Sequence, residues 1–346
     1  MKIKNFNEHL INSDETIRKS VVKLGKLKKK FCIVIDKSSK YIGTLTDGDI
    51  RRGLLLNLTL KNKVIEVCNK KSNFIKKKLS ESKAQDIMKK KKINFLPVVN
   101  IFKKIQGIHY YSNNIHLNTI ENEMWIMAGG KGKRLRPFTK KIPKPLLPVD
   151  GKPIIERIIL TAKKQGIKNF VISINYLGNK IKSYLKNGKK FDVNIRYVKE
   201  DKPLGTAGSL YYYKKTKLPI IVSNADVISN INYREMFKYH KKLNSYITIG
   251  AISNFEKNHY GNIIFKNNRV KRIEEKVEKK SFINSGIYIL NPNIKKFFKS
   301  KKFSHMTNFI EMAILNKKKV HVFPIHENWY DYGIKEKYIN QKIKKW

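Results

Sequence analysis

The sequence predicts two domains: an α+β module over residues 1–118 and an α/β domain over residues 124–346, whose mostly parallel sheet is flanked by helices. Three observations lead there. From residue 124 onward, short apolar runs alternate with segments of helical periodicity, the pattern of βαβ units and a doubly wound sheet. Before residue 118, a hairpin accompanied by a helix occurs twice. A length of 346 residues also supports two cores more readily than one.

Composition narrows the class. Hydrophobic residues make up 41% of the chain, and no apolar run approaches the roughly eighteen residues of a membrane span. The opening stretch MKIKNFNEHLINSDET lacks the apolar core of a signal peptide, so a cytoplasmic protein with no membrane partner is expected. The formal charge of +49 by itself suggests nucleic-acid binding. Its distribution argues otherwise. Only ten of the 75 basic residues are arginine, and lysine is spread along the whole chain. A nucleic-acid site concentrates arginines and aromatics on one element, so no specific nucleic-acid partner is expected. Cys32 and Cys68 lie among apolar neighbours without ligand spacing and read as buried thiols.

In the first domain, residues 31–36 and 41–45 read as strands joined by the turn 37–40. A helix is expected from Ile50 to Leu55, with Asp49 at its start, where a carboxylate meets exposed N–H groups. Residues 82–92 read as a helix, followed by a second hairpin from 94–99 and 105–110. This repeat resembles a pair of cystathionine-β-synthase (CBS) domains. In that family a Thr-x-x-Asp after the second strand holds an adenosine-type ligand, and Thr46 and Asp49 match it. The second copy has Tyr110 and Asn113 instead, so the resemblance implies at most one adenine-nucleotide site. The alternative is a docking or dimerisation module in which Asp49 only caps a helix. Residues 119–123 are polar and aperiodic and read as a linker.

The second domain opens on an apolar strand, Trp125 to Ala128, that runs into Gly129-Gly130-Lys131-Gly132-Lys133-Arg134-Leu135. Glycines let the backbone approach a ligand and aim successive N–H groups at one anion. Arg134 and, further on, Lys144 add positive charge, arginine as a fork and lysine as a point charge. This combination points to a nucleoside triphosphate. A helix follows over 154–165, a strand over 168–174, a helix over 177–187 and a strand over 193–198. Residues 218–227 read as one strand carrying Asp226 at its carboxyl end, well placed for Mg²⁺. In such sheets ligands bind beyond the carboxyl ends of the strands.

Gly-Gly-x-Gly-x-Arg-Leu followed by Pro143-Lys144-Pro145-Leu146 resembles the signature of the sugar-1-phosphate nucleotidyltransferases. The resemblance covers nearly everything from Met124 onward and implies a Rossmann-like, GT-A-like domain. It implies that Ala128, Gly129, Gly130, Gly132, Gly205 and Thr206 bind the nucleotide, and that Glu200 meets the base. A carboxylate offers only acceptors, and guanine presents two adjacent donors, so Glu200 favours GTP. Asp226, and Asp331 within Asn328-Trp329-Tyr330-Asp331-Tyr332-Gly333, match the family's metal aspartates and imply Mg²⁺ as cofactor. Tyr260-Gly261, Glu275-Lys276 and Asn284-Ser285-Gly286 resemble its sugar-phosphate segments, assigning Gly261, Glu275, Lys276 and Asn284 to that partner. Val277 stands where the family usually has proline.

The resemblance thus implies transfer of a nucleotidyl group to a sugar 1-phosphate, with pyrophosphate leaving. Arg134, Lys144 and Asp226 are the expected catalytic residues. The architecture is closest to bacterial members with a CBS pair ahead of the transferase, which include guanylyltransferases serving surface-glycan and nonulosonic acid synthesis. Homo-oligomerisation is expected. The alternatives are the same chemistry with UTP, dTTP or CTP, and an inactive nucleotide-sensing regulator.

Overall fold

The computed structural model describes residues 6–76, 79–111, 119–214, 216–257, 262–266, 268–275, 278–298, 300, 302 and 304–340. The chain divides into two units, Met1–His116 and Leu117–Trp346.

The first unit contains β1 (Leu10–Asn12), α1 (Ile17–Lys26), β2 (Phe31–Ile35), β3 (Tyr41–Thr46), α2 (Asp47–Leu55), α3 (Val64–Val67), α4 (Glu81–Lys91), β4 (Phe95–Val99) and β5 (Ile105–Tyr110). β1 pairs in parallel with β2, and β2 forms a hairpin with β3. The second half repeats this order in reduced form. Ile75 bridges Val98 in parallel, α4 follows Ile75, and β4 pairs with β5 as a hairpin. α1 buries Ile17 and Leu24, seven residues apart on one face, against Leu45, Ile50 and Leu54. Cys32 is buried and Cys68 half-buried, and both are free thiols. Burial pushes the Cys32 thiol up to about 12, which makes it inert.

α2 starts at Asp47, three residues before the expected Ile50. The cause is a capping box. Asp49 Oδ2 accepts from Thr46 N at 2.8 Å and from Thr46 Oγ1 at 2.6 Å, and Asp49 Oδ1 accepts from Arg52. Asp49 is therefore the third helical residue rather than the one before the helix.

The second unit follows with β6 (Met124–Met127), β7 (Pro148–Val149), β8 (Lys152–Pro153), α5 (Ile154–Lys164), β9 (Asn169–Ile174), α6 (Gly178–Leu185), β10 (Asn194–Lys199), β11 (Ile220–Asn224), β12 (Val227–Ser229) and α7 (Tyr233–Lys242). It continues with β13 (Ile247–Lys257), β14 (Asn262–Lys266), β15 (Arg269–Glu274), β16 (Glu278–Leu290), α8 (Met306–Leu315), β17 (Val320–Ile325), β18 (Trp329–Asp331) and α9 (Lys335–Asn340). Residues 119–123, expected as a linker, pack onto this unit. Ile120 is buried and donates to Gly166 O at 2.8 Å, and Glu123 pairs with Arg196 at 2.8 Å.

The main sheet runs β10–β9–β6–β11–β16–β13–β17. β10, β9, β6 and β11 are parallel, and so are β13 and β17. β16 runs against both of its neighbours. The reason is local: between β13 and β16 the described residues form the β14–β15 hairpin and no crossover helix, and a parallel return requires one. Alternate residues of β6 explain its continuous apolarity. Met124 and Ile126 enter the core on one face of the sheet, and Trp125 enters the core on the other. Both faces are covered.

From β6 the chain builds β9 and β10 on one side, then returns to lay β11 on the other. The strand order therefore switches beside β6, and a crevice opens at the carboxyl ends of β6 and β11. The single strand expected over 218–227 is broken at Ala225–Asp226. Ala225 N still donates to Met127 O at 3.3 Å, but Asp226 O accepts from Tyr332 N at 2.9 Å. The backbone is handed from the main sheet to a ribbon in which β12 pairs antiparallel with β18, Val227 opposite Asp331. Among the described residues no helix is long and apolar enough to cross a membrane.

Candidate active site

A cavity of about 400 Å³ occupies that crevice. Of the expected residues, Ala128, Gly129, Gly130, Gly132, Arg134, Lys144, Glu200, Gly205, Thr206 and Asp226 line it. They come from four separate stretches, brought together by the sheet order.

The glycine loop leaves β6 with three distinct roles. A side chain at Gly129 would stand 3.0 Å from Glu200 Oε1, so its absence lets the carboxylate lie flush against the loop. Gly132 has φ +60°, and its carbonyl accepts from Thr139 Oγ1 at 2.8 Å. Gly130 has nothing within 4 Å of where a Cβ would be, so it leaves open space facing the cavity. The loop closes in a 3₁₀ turn, Lys133–Leu135, in which buried Leu135 is the anchor and exposed Arg134 faces the cavity.

Glu200 follows β10 and is 3% exposed. Its Oε2 accepts from Leu204 N at 3.0 Å, and its carbonyl accepts from Asn175 Nδ2 at 2.7 Å. Burial holds its carboxyl above the usual carboxylate range, opposed by the hydrogen bonds from Leu204 and Ser173. Gly205 turns the loop at φ +80°. Thr206 Oγ1 accepts from Met306 N at 2.9 Å, at the start of α8. Ser304 N donates to Leu204 O, and Ala207 N to Ser304 O, so this loop is stitched to the segment before α8.

Opposite, Lys144 stands at the head of a 3₁₀ turn, Lys144–Leu146, and its ammonium donates to Asp226 Oδ2. Both side chains are largely buried. A Cβ on Gly333 would lie 2.8 Å from Asp331 Oδ1, 2.9 Å from Asp226 Oδ2 and 3.2 Å from Lys144 Nζ. The two carboxylates, 105 positions apart in the numbering, thus converge on one small space that only a glycine leaves open. Gly333 N, donating to Asp331 Oδ1 at 2.7 Å, fixes one of them. Hard divalent cations take oxygen ligands, and this donor set fits one.

The residues expected on the sugar side fare differently. Gly261 and Lys276 lie outside the described residues. Glu275 is exposed and does not line the cavity. Asn284 is exposed as well, and its Oδ1 accepts from Gly286 N at 3.0 Å. Gly286, at φ +75°, leaves no room for a Cβ, which would stand 2.6 Å from Asn224 Nδ2. Asn224 lines the cavity, so this motif reaches it through one intervening side chain. Sequence reasoning missed Asn224, His305 and Gly333, which all line the cavity. Gly333 stood inside a quoted motif. His305, at the N-cap of α8, had no local signal and arrives only through tertiary stitching to residues 204–207.

Residues 124–344 match the family model described as nucleotidyl transferase. The chain belongs to that family and is a nucleotidyltransferase. The match begins at residue 124 and leaves the first unit outside it. A D-glycero-alpha-D-manno-heptose 1-phosphate guanylyltransferase of Aneurinibacillus thermoaerophilus is 33% identical over 220 residues, covering 62% of this chain and 95% of that one. A mannose-1-phosphate guanyltransferase of Yarrowia lipolytica is 35% identical over 219 residues, 60% of this chain and 60% of its own length. A solved Bacillus anthracis structure, provisionally assigned as a glucose-1-phosphate thymidylyltransferase, aligns with a TM-score of 0.52 over 65% of this chain and 97% of that one. At 22% identity it shows the shared fold alone.

Proposed function

We propose that this chain transfers GMP from GTP to a sugar 1-phosphate, giving a GDP-sugar and pyrophosphate. One observation carries the guanine preference: a buried carboxylate, Glu200, faces the cavity beside the glycine loop. Two acceptor oxygens complement the N1–H and 2-amino donors of guanine, whereas uracil and thymine set one donor between two acceptors. The names of the two relatives, both guanylyltransferases acting on sugar 1-phosphates, support the same reading.

The attacking sugar phosphate is already anionic, so no general base is required. Catalysis is positioning and charge neutralisation. Loop N–H groups and Arg134 hold the departing pyrophosphate, and Lys144 neutralises the transferring group. Lys276 is assigned to the attacking phosphate. Asp226 and Asp331 would hold Mg²⁺, which supplies charge neutralisation to the reacting phosphates when bound. The test is a pyrophosphate-release panel of GTP, ATP, UTP, CTP and dTTP against heptose, mannose, glucosamine and glucose 1-phosphates. GTP should exceed every other nucleotide by at least about tenfold in kcat/KM. Equal or better use of UTP or dTTP would overturn the base assignment.

For the first unit we propose a CBS-type pair, supported by its repeated helix-and-hairpin order, within a homo-oligomer. Thr46 and Asp49 are read as a helix cap, because the Asp49 oxygens already accept from Thr46 and Arg52. Saturable AMP or ATP binding that Asp49→Ala removes, with the melting temperature held, would restore the adenine-nucleotide role. Light scattering tests the oligomer.

A further inference from the structure

We propose that Lys144 is a stand-in cation for Asp226 and Asp331: it holds their charge in the ligand-free protein and moves to phosphate when nucleotide enters, and Gly333 keeps open the space for that exchange. This rests on the nucleotidyl-transfer reading and deepens it.

Two carboxylates aimed at one point repel each other unless a cation lies between or beside them. In this chain the ammonium of Lys144 meets Asp226 directly and approaches the Gly333 space to which Asp331 also points. Lysine suits the role, being a compact charge on a flexible four-carbon stem. Its backbone is not free to follow. Pro143 and Pro145 flank it, Pro145 is buried, and Leu147 N donates to Lys144 O at 3.1 Å. Any change of partner is therefore confined to the side chain. The partner it would move to lies across the same cavity, where Gly130 leaves room beside the loop N–H groups.

Gly333 is required for its space and not for its backbone, because its φ is not in the left-handed region. Alanine fits the main chain there. Its methyl would meet only side-chain ends, the two carboxylate oxygens and the ammonium, and would push them apart. The fold would survive and the cradle would not.

Coupling follows. Without nucleotide, a divalent ion must compete with Lys144. With nucleotide, the phosphates draw Lys144 off Asp226 and uncover the carboxylates. Each ligand then strengthens the other by the same factor.

The experiment titrates Mn²⁺ against the full chain and reads the free-ion EPR signal, with and without GTP. Protein-free controls subtract chelation by GTP itself. In the unmodified protein GTP should tighten Mn²⁺ binding at least about tenfold. Lys144→Met should bind Mn²⁺ at least about tenfold tighter than the unmodified protein when GTP is absent, and should lose most of the coupling. Gly333→Ala should weaken Mn²⁺ binding while its circular dichroism and melting temperature stay near those of the unmodified chain. Unchanged or weaker Mn²⁺ binding by Lys144→Met without GTP overturns the proposal. If GTP never binds, but Lys144→Met still gains Mn²⁺ affinity, the nucleotide reading fails and the stand-in role is supported.

Discussion

Replacing Glu200 by glutamine separates base recognition from folding. Glu200 Oε2 accepts from Leu204 N, and Oε1 lies against Gly129. In the variant the amide oxygen keeps the Leu204 bond and the NH₂ takes the place of Oε1. The pocket then loses one acceptor and the negative charge, and turns a donor toward guanine's own donors. A hydrogen bond to a charged group is worth about 1.5–3 kcal/mol, so kcat/KM for GTP should fall roughly ten- to a hundredfold. The ratio of GTP to UTP should fall with it. The pH profile supplies a second reading. Burial raises the Glu200 pKa, and on the proposed reading guanine binds the ionised form, so kcat/KM for GTP should decline as pH falls through that raised value. The glutamine variant should be flat in that window. Stability moves the opposite way. A carboxyl whose folded pKa exceeds its unfolded one contributes stability that is present at low pH and lost as pH rises through the folded value. At pH 7.5 the native chain bears that loss and the variant does not, so the variant should melt at the same temperature or higher. Steady-state pyrophosphate release and calorimetry check both. An unchanged GTP:UTP ratio in a well-folded variant would refute the assignment of Glu200 to the base.

Asp226→Asn should lower turnover by roughly 10³ or more while the circular dichroism spectrum is retained, and near-normal pyrophosphate release would remove Asp226 from the metal role. Gly188→Ala places a Cβ 2.5 Å from Val193 O at a φ of +88°, and should cost roughly 1–3 kcal/mol in thermal unfolding with activity per folded molecule unchanged. His240 is buried, with Nδ1 2.8 Å from Thr248 Oγ1, and burial and nearby His321 lower its pKa from 6.5 to about 4. Its stabilisation is full above the unfolded value and is lost as pH falls from 6.5 toward 4. About 3 kcal/mol should go over that range, and His240→Gln should show a shallower acid limb in urea titrations.

Most of the residues expected around a nucleotide lie together on one cavity, and physics explains why they stood out in the sequence. The residues of the glycine loop, Lys144 and the loop that starts at Glu200 lie in short stretches whose local chemistry is itself unusual: glycines at positive φ or against Glu200, prolines around a lysine, a buried acid after a strand. Such features leave marks within a few residues. The reversed strand β16 left none, because 13 half-apolar residues read alike in either direction, and only the missing crossover helix decides their sense. The break at Asp226 left only a faint local mark. Residues 220–223 favour a strand and Asn224-Ala225-Asp226 favour a turn, but where the chain goes next is decided about a hundred residues later, where Tyr332, just past β18, donates its N–H to Asp226 O.

That handover is also what makes the site. Were residues 220–229 one strand, Asp226 would continue the main sheet, and Asp331 would have no register that sets it opposite Val227. The β12–β18 ribbon turns the chain so that the two acids meet over Gly333. The same dependence explains why His305 and Gly333 escaped notice. Each matters through what a distant segment places beside it, a relation that neither composition nor spacing records. A site assembled from strand ends is therefore half legible: the loops announce themselves, and the convergence of the two acids is a property of the sheet order.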